Sequence, residues 1–219
     1  MDCLKDFNPI KDGKSSSDTV MIDNIKNHFE KISSLINNIS IPIEEEGNSE
    51  RFHNIEAYLS SSLDDDLKLL IETFQGLGFE DKVGFAAPCK IPVLGESSII
   101  EFGVFLTLQN SPYEIQGLLE SNVDLFGKEY LPIAEATPGD FIALHLKNKK
   151  IYFISHDFDA KTEESHFEIA KTLGSYLLGL KQFPEQPANK IEEDPSKIVK
   201  VNYSSNLLKM AERFKKDNK

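Results

Sequence analysis

The chain of 219 residues has no tryptophan and two cysteines, Cys3 and Cys89. Two thiols this far apart, outside any ligand-like spacing, supply neither a disulfide framework nor a thiolate metal site, which favours a reducing, cytoplasmic setting. No run approaches the roughly 18 apolar residues that a membrane span needs. The start, Met1 to Lys14, lacks the basic stretch and apolar run of a signal peptide, so none is expected. Basic residues are scarce, 24 Lys+Arg against 36 Asp+Glu, for a formal charge of −12. That balance argues against direct binding of nucleic acid or of an anionic membrane, because both require a basic face. The sequence has no nucleophile elbow, phosphate-binding loop, dinucleotide fingerprint, H-E-x-x-H or paired C-x-x-C. No catalytic residue, metal ligand or cofactor is therefore expected.

What the chain does have is 40% apolar residues and fifteen phenylalanines, enough for an aromatic core. Ile22, Ile25, Phe29, Ile32, Ile36 and Ile39 step by three and four, which predicts an amphipathic helix over Val20–Ile39. Such a helix either forms a short coiled-coil seam or covers a core. A charged stretch, Ile43 to Ser49, marks a boundary, and a short helix is expected near Phe52–Leu59. Leu67, Leu70, Ile71 and Phe74 predict a helix over Leu63–Phe74, with Ser62 and Asp65 as a capping-box-like start and Gly76 and Gly78 as its stop. Apportioned along the chain, residues 1–50 carry −5, residues 51–183 carry −9 and residues 184–219 carry +2. An acidic domain of this kind either steers a basic protein partner or simply keeps its surface solvated.

Val83–Ala87, Ile91–Leu94 and Ile99–Leu108 read as short strands, and Ser111-Pro112-Tyr113-Glu114 as the start of a helix carrying Ile115, Leu118, Leu119 and Val123. Tyr130–Glu135, Phe141–Leu146 and Ile151–His156 are strand-like runs joined by short turns, an antiparallel meander. Phe167, Ala170, Leu173, Leu177 and Leu180 step like one long helix that ends before Pro184. Residues 184–202 read as a linker and Tyr203–Lys216 as a closing helix, giving three zones: 1–44, 45–183 and 184–219.

Ser155-His156-Asp157 spells a triad in order, but neighbours on a strand point to opposite faces and cannot form that relay. His156, Asp157, Asp159 and His166 have metal-like composition, against the simpler reading that the acids shape a turn and Glu163, Glu164 and Ser165 cap a helix. His145 alternates with apolar neighbours, as a satisfied sheet histidine would.

The run Tyr130-Leu131-Pro132-Ile133-Ala134-Glu135, the turn Pro138-Gly139-Asp140, Phe141-Ile142-Ala143-Leu144, Ile151-Tyr152-Phe153 and His156-Asp157 resemble the SUKH superfamily. Its members include fungal Smi/Knr-type cell-wall regulators and bacterial immunity proteins of polymorphic toxin systems. The resemblance implies an α+β fold: a mixed, largely antiparallel sheet of about five or six strands with helices packed against it, here with N- and C-terminal helical extensions. It also implies action by binding rather than catalysis: like the bacterial members, on a toxin, often a nuclease with a basic cleft, as the protein partner, or alternatively as a regulatory scaffold like the fungal ones. On that reading the contact surface uses Glu135, Asp140, Asp157 and Asp159, with Tyr113 or Tyr152 as aromatic anchors. Oligomeric state is left open.

Overall fold

In a computed structural model, residues 17–37, 47–94, 98–109, 111–136, 139–156 and 165–183 are described. The leader, the loop with Asp157 and Asp159, the linker and the closing helix expected over Tyr203–Lys216 lie outside the described residues. The chain divides after Pro184, and everything below concerns the first unit.

Helix α1 (Ser17–Ile32) buries Ile22, Ile25 and Phe29, as its spacing predicts. It ends earlier than expected because Ser33 and Ser34 bond to another segment. The buried Ser33 hydroxyl donates to Asp81 Oδ2 and accepts from the Asp81 amide, both at 3.0 Å, and the Ser34 carbonyl accepts from Glu80 N. Leu35–Asn37 then forms strand β1, so Ile36 continues the helical spacing only by coincidence and is 39% exposed. Helices α2 (Asn48–Leu59) and α3 (Asp65–Phe74) follow. The expected cap at Ser62 is replaced: Asp64 is the N-cap without a side-chain cap bond, and the Leu63 amide donates instead to Glu56 Oε1 at 2.8 Å. Gly76, at φ +73°, turns the chain out of α3, whereas Gly78 lies inside β2 (Leu77–Phe79).

Strands β3 (Val83–Ala86), β4 (Ile99–Glu101) and β5 (Val104–Phe105) come next, but Pro92–Leu94, expected as a strand, is a 3-10 turn. Ser111 caps a turn rather than a helix. Its hydroxyl accepts from Tyr113 N at 3.1 Å and bonds Thr107 Oγ1, and α4 (Ile115–Ser121) starts only after Glu114. A short α5 (Val123–Phe126) precedes the meander β6 (Tyr130–Glu135), β7 (Phe141–His145) and β8 (Ile151–Ile154).

The long helix expected over Phe167–Leu180 is instead strand β9 (His166–Ala170), helix α6 (Leu173–Leu177) and strand β10 (Lys181–Gln182). Phe167 and Ile169 are buried while His166 and Glu168 are half-buried, a two-residue alternation. A reciprocal capping box between Thr172 and Ser175 then starts α6 afresh.

The main sheet has seven strands in the order β1-β2-β5-β6-β7-β8-β9, and a second has three, β10-β3-β4. Every strand pairing in them is antiparallel. The count exceeds five or six because β1 and β9, both read from the sequence as helix, form the two edges. One face buries Leu131, Ile142, Ile151 and Phe153. Near the β1 edge, Phe29 meets Phe74, Phe79 and Phe105 at ring separations of 5.3, 5.1 and 6.0 Å.

One core group is poorly matched to its surroundings. Tyr176 is 1% exposed, packs on Phe85 at 5.0 Å, and its hydroxyl has no hydrogen-bond partner. Burial pushes its phenol pKa far up. An unpaired buried hydroxyl costs about 1–3 kcal/mol. Tyr176→Phe is therefore expected to raise stability by about 1 kcal/mol, read as a higher urea midpoint at unchanged slope.

Candidate protein-binding surface

The pleat of the meander sets Tyr130, His145, Tyr152 and His166 side by side on one face of β6–β9. Tyr130 is directly opposite His145, and their rings are 4.8 Å apart, edge to face. Tyr130 also lies 5.3 Å from Tyr152 and 4.6 Å from His166. All four side chains are half-buried. Farther along this face the sheet is covered, where Phe126 of α5 meets Phe141 at 5.2 Å. The four rings thus lie as a margin beside α5, with His166 against it.

Hydrogen bonds fix three of the rings, and Tyr130 is held by its contacts with them. His145 Nδ1 accepts from Lys147 N at 3.2 Å, which assigns the ring proton to Nε2. Asn148 Nδ2 donates to the Tyr152 hydroxyl at 3.2 Å. His166 Nε2 donates to the Leu125 carbonyl at 2.7 Å, and its Nδ1 accepts from Ser165 Oγ at 2.8 Å. Two ion pairs frame the rings, Lys147–Glu129 and Lys150–Glu168, each at 2.7 Å. Glu168 Oε1 is buried without a hydrogen-bond partner. The bond to Glu168 holds the Lys150 pKa above its ordinary value, and burial raises that of Tyr130.

Burial also lowers the His166 pKa, with a smaller contribution from His145, against an upward pull from the Leu125 carbonyl. A histidine depressed in the folded state binds fewer protons there than in the unfolded chain. Its stabilising contribution is therefore complete above the unfolded pKa of about 6.5 and declines as pH falls toward the folded value. Urea midpoints measured from about pH 8 to pH 5 should drop on the acid side. In His166→Gln, which keeps a side-chain donor for Leu125, that drop should shrink.

Of the residues proposed from the sequence, Tyr152 belongs to this cluster. Tyr113 lies before α4, half-buried, its carbonyl accepting from Thr107 N at 2.8 Å. Glu135 and Asp140 sit at the opposite end of the β6–β7 ladder, where Glu135 pairs with Phe141. Five residues of strand separate Glu135 from Tyr130, about 17 Å. Asp140 is 5% exposed and its Oδ1 accepts from both the backbone N (3.0 Å) and Nδ1 (2.9 Å) of His156. It is a strut of the hairpin, with little surface to offer a partner. Asp157 and Asp159 lie outside the described residues, so the proposed set is not brought together. Nor do His156 and His166 share ligands: one is held by Asp140, the other by Leu125 and Ser165. Among the described residues no three metal-capable side chains cluster. Sequence reasoning missed Tyr130, His145 and His166 as a unit. The signal was the equal phase of Tyr130, His145 and Tyr152 once the hairpin register is set.

An antiparallel α+β sheet domain with a rigid aromatic margin is the class that the fold and surface define. The SMI1/KNR4 family model (SUKH-1) matches residues 46–179, more than half of the chain, and the chain belongs to this family. No curated protein matches it at a significant level. Helix α1 and strand β1 precede the matched span, yet Phe29 lies in the core.

Proposed function

We propose that this protein is a non-enzymatic binding domain, an immunity protein that neutralises a cognate bacterial toxin by direct contact in the cytoplasm. The observation that carries this reading is the Tyr130–His145–Tyr152–His166 margin. Tyrosine-rich, half-buried surface with a polar rim is the composition of interface hot spots, and prefixed rings lose little entropy on binding. Membership of a family that includes immunity proteins agrees with it. The formal charge of −9 over residues 51–183 suits a basic partner such as a nuclease, and no direct nucleic-acid or membrane contact is invoked. Among the described residues no helix is long and apolar enough to cross a membrane.

Co-expression with the toxin encoded beside its gene should rescue growth, and a pull-down should recover the complex. Tyr130→Ala and Tyr152→Ala should each weaken that complex by roughly thirtyfold or more. No rescue and no complex would overturn the proposal. The SMI1/KNR4 match itself favours a second reading, a regulatory scaffold of the Smi/Knr type. In that case partners should be lost on deleting residues 184–219 while the sheet domain stays folded.

A further inference from the structure

On the opposite side of the β7–β8 turn from the aromatic margin, the structure has a cavity of about 270 Å³. Leu67 and Leu70 of α3, Leu144 of β7 and Leu173 of α6 give it apolar walls. Asp64, Asp66 and Lys149 stand among its lining. Its volume falls just below the range of about 300–1,000 Å³ usual for free small-molecule ligands, and suits an inserted side chain. The apolar walls call for a long aliphatic stem and the carboxylates for a cationic head. The half-charge of about +0.5 at the α3 N-terminus is outweighed by the acids Asp64, Asp65 and Asp66.

Lys149 already places a cation here from within the chain. Its ammonium meets Asp64 Oδ2 at 2.9 Å, with the two side chains 48% and 66% exposed. Such an exposed pair is worth about 0–1 kcal/mol, so an incoming cation displaces it at little cost. Lys149 holds this place from a left-handed backbone, φ +58°.

We propose that the cavity is a second contact point for the protein partner and receives an arginine side chain, with Lys149 as the internal stand-in that leaves when it enters. Arginine suits the place because its stem packs on apolar walls and its weakly hydrated guanidinium matches carboxylates in a planar fork. The inference rests on the binding function proposed above and names the chemistry of the partner.

The test needs no toxin, so its failure and failure of growth rescue are separate results. The isotope-labelled full chain is titrated with n-butylguanidinium, and in parallel with n-butylammonium and uncharged n-butanol, following amide shifts by NMR. Saturable shifts at Leu67, Leu70, Leu173 and Gly174, strongest for the guanidinium, are expected. Lys149→Gly, which suits the left-handed position and removes the competing ammonium, should tighten binding about threefold. Asp66→Asn should weaken it by a similar factor. Gly174→Leu should abolish it: Gly174 lines the site and a Cβ there meets nothing within 4 Å, so a side chain can start there and its isobutyl group takes up the space. Unchanged far-ultraviolet dichroism verifies its fold, and Asp66→Asn stands as the independent variant. Equal shifts with butanol, no shifts in Lys149→Gly, or binding undiminished in both Gly174→Leu and Asp66→Asn would overturn the proposal.

Discussion

Phe29→Ala should lower the stability of the domain by about 3–5 kcal/mol, the range for truncating a fully buried aromatic side chain. Phe29 is 0% exposed and touches rings from three other segments: Phe74 of α3, Phe79 of β2 and Phe105 of β5. Those rings have other partners, Phe74 with Phe105 and Phe79 with Phe102, both at 5.3 Å, so removing Phe29 opens a space its neighbours cannot close without giving up their own contacts. Residual void adds to the lost transfer energy, which places the effect toward the upper end. The same reasoning extends to the segment that carries Phe29. A chain beginning at residue 46, where the family match starts, loses α1 and edge strand β1 together. It should show no cooperative urea transition, whereas the full chain should. A truncated domain as stable as the full chain would disprove the role assigned to α1.

Gly139→Ala is the second substitution with a large expected effect, about 2–4 kcal/mol of lost stability. Gly139 has φ +91°, a conformation that costs a residue with a Cβ about 1–2 kcal/mol. The added carbon would stand 2.7, 2.8 and 3.0 Å from Cε1, Nδ1 and Nε2 of His156. The imidazole would have to swing away, and Nδ1 would leave the nearly buried Asp140 carboxylate. Losing a partner of a buried charged acceptor adds about 1–3 kcal/mol. The double variant Gly139→Ala/His156→Ala separates the contributions. With the ring gone the clash is gone, so the pair should cost measurably less than the sum of the two singles. Additive losses would mean that the contact with His156 contributes nothing.

Where local pattern and tertiary pairing agree, the sequence could be read directly. The stripe Leu67, Leu70, Ile71 and Phe74 made α3 legible, and alternation between turn residues made the meander legible. His166–Ala170 misled because Phe167, Ala170, Leu173 and Leu177 satisfy a helical period even though the first two belong to a strand. What decides there is pairing with β8, which no window of local sequence contains. The same holds for Leu35–Asn37, whose partner strand lies some forty residues away. The resemblance carried the fold class further than spacing could, because the Gly139-Asp140 turn and the flanking runs are a tertiary unit. For the surface, Tyr152 was within reach of sequence reasoning, but its neighbours were not, since they converge from four strands. The acids chosen for their charge proved harder to place: Asp140, which reads as an exposed turn acid, is consumed by the hairpin that it holds.

The tyrosines on the β6–β9 margin make the protein its own optical reporter. Its near-ultraviolet emission comes from six tyrosines, with no tryptophan to swamp them. Tyr130 and Tyr152 stand on the surface proposed for contact, so a partner that brings a tryptophan against them becomes an acceptor for their excitation. Mixing the two proteins would then dim the tyrosine band and brighten the tryptophan band without a dye on either one.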